Sequence, residues 1–257
     1  MSPVVVLLSC IIGAGNILAT TTPGVATVPA TKLSNREALA AQMLRAPPDV
    51  LITMGLSNIK KLGTYKYRMV KRERVGGVLL EAQEITTYVR EEPWAVRLQY
   101  VKGPAAGRQV TYNPVARKDD FRVREVGLLS IAGPMWIALD SPFAKTDSNH
   151  TARDASISSL LKRLAFDLER GKKLGGFSTV HEGFNADGAY CMLFTPPKGT
   201  GGTVFDHSRT RVCADLEGGV PAVVEGFDDR GNLLEQYLID RVEPTTLPDW
   251  FFDPERL

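Results

Sequence analysis

Residues 65–103, YKYRMVKRERVGGVLLEAQEITTYVREEPWAVRLQYVKG, and then Gly107–Tyr112, GRQVTY, decide the fold. From Thr64 to Arg74 the pattern has period two. Tyr65, Tyr67 and Met69 lie on one face, and Lys66, Arg68, Arg72 and Arg74 mainly on the other. Gly76-Gly77 reads as a turn, because glycine takes positive φ without steric cost. Val78 to Arg90 returns as a second strand. Pro93 ends that run, since proline donates nothing to a ladder. Trp94, Val96, Leu98 and Tyr100 then alternate with Ala95, Arg97 and Gln99, giving one apolar face and one wet face. Gly103-Pro104 and Gly107 turn the chain again, and Val110 with Tyr112 opens another strand. The stretch predicts a meander of long antiparallel strands.

Toward the C-terminus, Phe121–Glu125 and Leu128–Ala132 read as two short strands about Gly127. Pro134–Phe143, PMWIALDSPF, reads as a short helix or loop covering one end of the sheet. From about Asp154 to Arg170 the spacing of Ile157, Leu160, Leu161, Leu164 and Leu168 predicts a helix. Gly171 and Lys172-Lys173 suit its C-terminus. A second β run follows at Phe177–His181, Ala189–Thr195, Arg209–Leu216, Val220–Phe227 and Leu233–Val242. Glu217-Gly218-Gly219 and Asp228–Asn232 are its hairpin turns. The aromatic tail Trp250-Phe251-Phe252 should dock on the sheet. Toward the N-terminus, Ser34 and Glu37 form a capping box. They open a helix bearing Leu39, Met43 and Leu44, which Ala46-Pro47-Pro48 stops. Val50, Leu51, Met54 and Leu56 mark a second helical piece before Gly63.

The chain has 257 residues, 44% of them hydrophobic and 23% charged, with a formal charge of +2. That is an ordinary globular composition, and the charge is too mild to argue for nucleic acid. KRER, EAQE and REE interleave the two signs and read as a solvated face. Val4–Ile17 is apolar or small throughout, so residues 1–19 read as a signal peptide and 20–33 as a Thr/Pro/Ala-rich linker. Residues 34–257 read as a single domain. Export into an oxidising compartment, the periplasm in a bacterium, is expected. Two other readings of the start stay open: a lipid anchor at Cys10, and an uncleaved helix. After cleavage Cys191 and Cys213 remain. They read either as a disulfide, worth about 3 kcal/mol for a loop of about 20 residues, or as two unpaired buried thiols. No later apolar run reaches transmembrane length.

Motifs that carry chemistry are absent. There is no Gly-x-Ser-x-Gly elbow, no Walker A loop and no His-Glu-x-x-His. His150, His181 and His207 have no metal-ligand spacing. Asp206-His207-Ser208 names the residues of a hydrolase triad, but chain neighbours point in different directions. The expectation is therefore no enzyme, no catalytic residue, no metal and no cofactor. What remains is a surface, the apolar strand face of Tyr65, Tyr67, Met69, Trp94, Val96, Leu98, Tyr100 and Tyr112. Either helices cover it and it is core, or coverage is incomplete and leaves an apolar cavity.

Tyr65–Arg74, Gly76-Gly77, Val89–Val96 (VREEPWAV) and Gly107–Tyr112 together resemble an uncharacterised bacterial secreted family. It is domain-of-unknown-function family fifteen-seventy-one. Gly219-Val220-Pro221 and the Asp228–Asn232 turn resemble closing strands of the lipoprotein carriers of the LolA/LolB-like group. The resemblance implies an α+β half-barrel, a curved antiparallel sheet wrapped around a few helices with an apolar cavity on the concave side. It implies a non-catalytic envelope protein that binds a lipid, an acyl chain or a lipoprotein there. The chain departs from the family's pattern at Asn149–Asp154, where an Arg-His-Pro-Ile-like segment is expected. The alternative function is an envelope protein–protein interaction module with a filled core, sensitive at Lys66, Arg68 or Arg72.

Overall fold

The computed structural model describes residues 37–42, 44 and 48–257. The expected signal peptide, linker, Cys10, Ser34 cap, Met43 and Ala46-Pro47 stop lie outside the described residues. Residues 37–42 are helical. Helix α1 (Pro48–Leu62) follows and buries Leu51, Ile52 and Ile59. Proline suits its first turn, where the missing N–H has no partner anyway.

The meander forms as β1 (Thr64–Val75), β2 (Val78–Leu79), β3 (Gln83–Glu91), β4 (Trp94–Lys102) and β5 (Gln109–Tyr112). The expected second strand is divided at residues 80–82 into β2 and β3. β6 (Asp120–Arg124) continues the sheet. Leu128–Ala132 is not a strand: Gly127–Ala132 is a 3-10 turn. Conversely, Met135–Ala138 within PMWIALDSPF is strand β7, and only Pro142–Lys145 of the following segment is 3-10. Isolated polar and apolar residues at a sheet edge carry too little alternation to separate these cases.

Helix α2 (Ile157–Lys173) starts at a Ser156 cap, whose Oγ accepts from Ser159 N at 3.0 Å. It runs past Gly171, which is therefore not its terminator. A side chain there would put Cβ 2.3 Å from the Phe177 ring, so the glycine serves close packing. Strands β8 (Ser178–Phe184), β9 (Tyr190–Thr195), β10 (Arg209–Ala214), β11 (Pro221–Phe227) and β12 (Leu233–Pro244) complete the chain.

All pairs are antiparallel in one open, curved, twelve-stranded sheet, ordered β7-β6-β5-β4-β3-β1-β12-β11-β10-β9-β8, with β2 on β1. The architecture is α+β, with both long helices against one face. There α1 and α2 contribute Ile52, Ile59, Ile157 and Leu161 to a core with Tyr65, Val89 and Val96. Gly55 of α1 lies so near the β10–β11 turn that an added Cβ would sit 2.3 Å from Gly219 O. Cys191 and Cys213 are cross-strand partners on β9 and β10 and form a disulfide.

The aromatic tail docks on the opposite, outer face. Phe251 packs edge-on to Tyr88 at 5.0 Å, beneath the Arg97 guanidinium at 4.8 Å. Arg97 also donates to Phe251 O at 3.1 Å. The outer charges Lys66 and Arg68 are engaged within the sheet, with Glu243 at 3.2 Å and with Asp240 at 2.7 Å.

Candidate functional site

Register sorts the inner face into rows that cross the strands. Tyr65, Val89, Val96 and Tyr112 form the first; Tyr67, Thr87, Leu98, Val110 and Val123 the second. Ile239, Met69, Ile85 and Tyr100 make the third. Tyr237 with Lys71 and Gln83, and then Glu235 with Glu73, make the last two. The first row is solid. Tyr65 is 0% exposed, its hydroxyl donates to Glu91 Oε1 at 3.0 Å, and Trp94 packs edge-on to Tyr112 at 5.6 Å.

Beyond the first row the packing opens. A cavity of about 260 Å³ lies over the second and third rows, beneath α2 and the strap of residues 142–156. Tyr67, Met69, Leu98 and Tyr100 line it, with Ile85, Val110 and Ile239. Tyr65, Trp94, Val96 and Tyr112 do not, although they share the same sheet face. Leu129 and Phe143 stand at its margin, and Leu128 and Ile131 beside them are 87% and 85% exposed.

The far end of the cavity is charged, and sequence reasoning misses it. Lys71 and Glu73 belong to the KRER run expected on a solvated face, yet they point inward, and Glu73 is only 2% exposed. They continue the odd-numbered alternation of β1 beyond Met69, which is the signal that finds them. Glu73 accepts from Asn149 N at 2.6 Å, Ser148 Oγ at 3.2 Å and Tyr237 Oη at 2.7 Å. Lys71 Nζ lies 3.6 Å from its carboxylate. Glu235 lies 2.7 Å from His150 Nε2 and 3.1 Å from His207 Nε2. Arg108 bridges Glu125, at 2.9 Å, and Asp147. These contacts fasten the strap, including the Asn149–Asp154 segment, over the cavity.

The electrostatics follow from that arrangement. Burial alone would push the Glu235 carboxyl up, but bonds and charge from His150 and His207 hold it well below the usual carboxylate range. Burial opposes a charged His150, yet Glu235, Glu73 and Asp154 raise its imidazole above the ordinary value. Burial, with Glu235 and Glu73, pushes the Tyr237 phenol up, so it stays a donor. Asp206 turns to Arg163 and His207 to Glu235, so the Asp206-His207-Ser208 run forms no triad of the usual kind. Among the described residues no group of three or more His, Cys, Asp or Glu side chains could hold a metal ion. No helix among them is long and apolar enough to cross a membrane.

Solved structures similar to the chain include an uncharacterized conserved protein from Thermus thermophilus. The identity is 8% over 80% of this chain and 91% of that one, with a TM-score of 0.48. Mycobacterium tuberculosis lipoprotein LppX is 16% identical over 82% and 99% of the two chains, at a TM-score of 0.44. A LolA superfamily protein from Nitrosomonas europaea is 8% identical over 82% and 100%, at a TM-score of 0.36. No curated protein matches the chain. The family model described as "Protein of unknown function (DUF1571)" matches residues 62–256, and the chain belongs to that family.

Proposed function

We propose that the protein is an exported envelope protein that binds an apolar ligand, a lipid or the acyl chain of a lipid or lipoprotein, in this cavity. Residues 1–19 would direct export and 20–33 would tether the domain. The observation that carries the reading is the unfilled space over Tyr67, Met69, Ile85, Leu98 and Val110. Its roughly 260 Å³ exceeds the ~150 Å³ of an apolar cavity that holds benzene. Burial contributes about 0.8 kcal/mol per CH₂, so a chain of about ten carbons gains about 8 kcal/mol, comparable with the ~4–15 kcal/mol cost of association.

The cavity argues against the filled core that an interaction module needs. Lys66 and Arg68, the expected contact residues of that module, already pair within the sheet. The test is a Val110→Trp variant, which places an indole in the cavity, assayed with the neutral fluorophore N-phenyl-1-naphthylamine. The wild-type chain should bind the fluorophore with enhanced emission, and the variant should lose binding while retaining its far-UV spectrum. A wild-type chain that does not bind it contradicts the reading.

A further inference from the structure

The chemistry at the closed end of the cavity defines which head group an apolar ligand can carry. Every cation there is engaged. Lys71 faces Glu73, Arg108 is shared by Glu125 and Asp147, and His150 lies on Glu235. Arg163 pairs with Asp206, while Asp154 is held by Thr151 N and Oγ1 at 3.0 Å. The cavity lining carries five carboxylates, Glu73, Glu125, Asp147, Asp154 and Glu235, against Lys71, Arg108 and Arg163. With His150 and with His207 behind Glu235, the carboxylates are in excess by two when both histidines are neutral, by one when either is protonated, and balanced only when both are. An anionic head group would thus meet unbalanced negative charge in a site of low dielectric.

A second observation points to a donor. Tyr237 has one hydroxyl proton for two buried carboxylates, at 2.7 Å from Glu73 and 3.3 Å from Glu235. A carboxylate has about four acceptor positions, and Glu235, which lines the cavity, has only the two histidine nitrogens on it when Tyr237 turns to Glu73, so acceptor positions are left over. The volume sets the size. At about 30 Å³ per water-sized unit, the cavity holds roughly nine, or a chain of about ten heavy atoms. A diacyl lipid does not fit whole.

Resting on the apolar-ligand reading, we infer that the occupant is a single-chain amphiphile whose head donates hydrogen bonds and bears no negative charge, an alcohol or an amine. Its head lies at Glu235 and Tyr237, and its chain runs over Met69, Ile85 and Leu98.

The experiment titrates the whole chain at about pH 7.5 with decanol, decylamine and decanoate, read by displacement of N-phenyl-1-naphthylamine and by calorimetry. At that pH the carboxylate is ionised and the amine protonated. Decanol and decylamine should bind at least about tenfold more tightly than decanoate. Asp147→Asn, which removes one negative charge from the strap and half-frees Arg108, should narrow that gap several-fold. Decanoate binding as tightly as decanol, or a gap unmoved by Asp147→Asn, overturns the head-group inference and leaves apolar binding intact. If none of the three binds, the apolar-ligand reading itself fails.

Discussion

The two ends of strand β1 present the same face to opposite environments. At the Tyr65 end the face is sealed by α1 and α2, and side chains fill the space. At the Glu73 end it carries a buried carboxylate, a buried lysine and the strap they hold. Between them lies the cavity, over Tyr67 and Met69. Alternation along a strand thus decides which face a residue takes, whereas its row across the sheet decides whether it packs, lines a cavity or holds a charge. The strap is held over the cavity by polar contacts of the last rows, Ser148 and Asn149 to Glu73 and His150 to Glu235.

The contrast can be broken most severely at the charged end. Glu73→Ala strands Lys71 without its carboxylate and frees the strap at Ser148 and Asn149. It should cost about 3–5 kcal/mol in chemical denaturation, the range for removing one partner of a buried pair. Glu73→Gln keeps the shape and should cost less. Equal losses would mean that charge is not what holds the strap.

Removing the Cys191–Cys213 bridge as a double alanine variant acts on the other half of the sheet. It should cost about 3 kcal/mol, with fluorophore binding retained once the variant is folded. Lost binding in a folded variant would couple β9–β10 to the cavity, although neither strand contributes a residue to its lining. Leu98→Ala enlarges an existing space. It should cost about 2 kcal/mol, the low end of the range for such truncations, while longer chains gain affinity.

The charged end also predicts a pH dependence. The contribution of Glu235, whose folded value is depressed, is present above about pH 4.3 and is lost as pH falls through that folded value. The contribution of His150, whose folded value is raised, is full below about pH 6.5 and is lost as pH rises through its folded value. The pair therefore stabilises most between about pH 4.3 and 6.5. Unfolding free energy should decline as pH rises above about 6.5, and His150→Gln should flatten that slope. The smallest effect is expected at the exposed margin, where Ile131→Ser should stay within about 0.5 kcal/mol of the wild-type chain.

Much of this architecture is legible in the chain itself. The alternation of Tyr65, Tyr67 and Met69, the turn glycines and the leucine spacing of α2 specify the meander, its hairpins and the covering helix. The site is legible only in part. Tyr67, Met69, Leu98 and Tyr100 are marked by alternation, but nothing in sequence separates them from Tyr65 and Val96, because row position depends on register with neighbouring strands. Lys71 and Glu73 escape a sequence reading because charged residues usually face water, although their parity with Met69 points inward. His150, His207 and Glu235 meet only through the pairing of β11 with β12, which sets Gly226 under the His207 ring opposite Glu235, and the path of the strap. The strap has no periodicity to read.

Native mass spectrometry of the protein purified from a periplasm, before and after organic extraction, tests the central claim most directly. The account predicts an extra mass of a single-chain, uncharged or cationic amphiphile that extraction removes and decanol replaces. A protein that emerges at its bare mass, and takes up neither decanol nor decylamine, would contradict it.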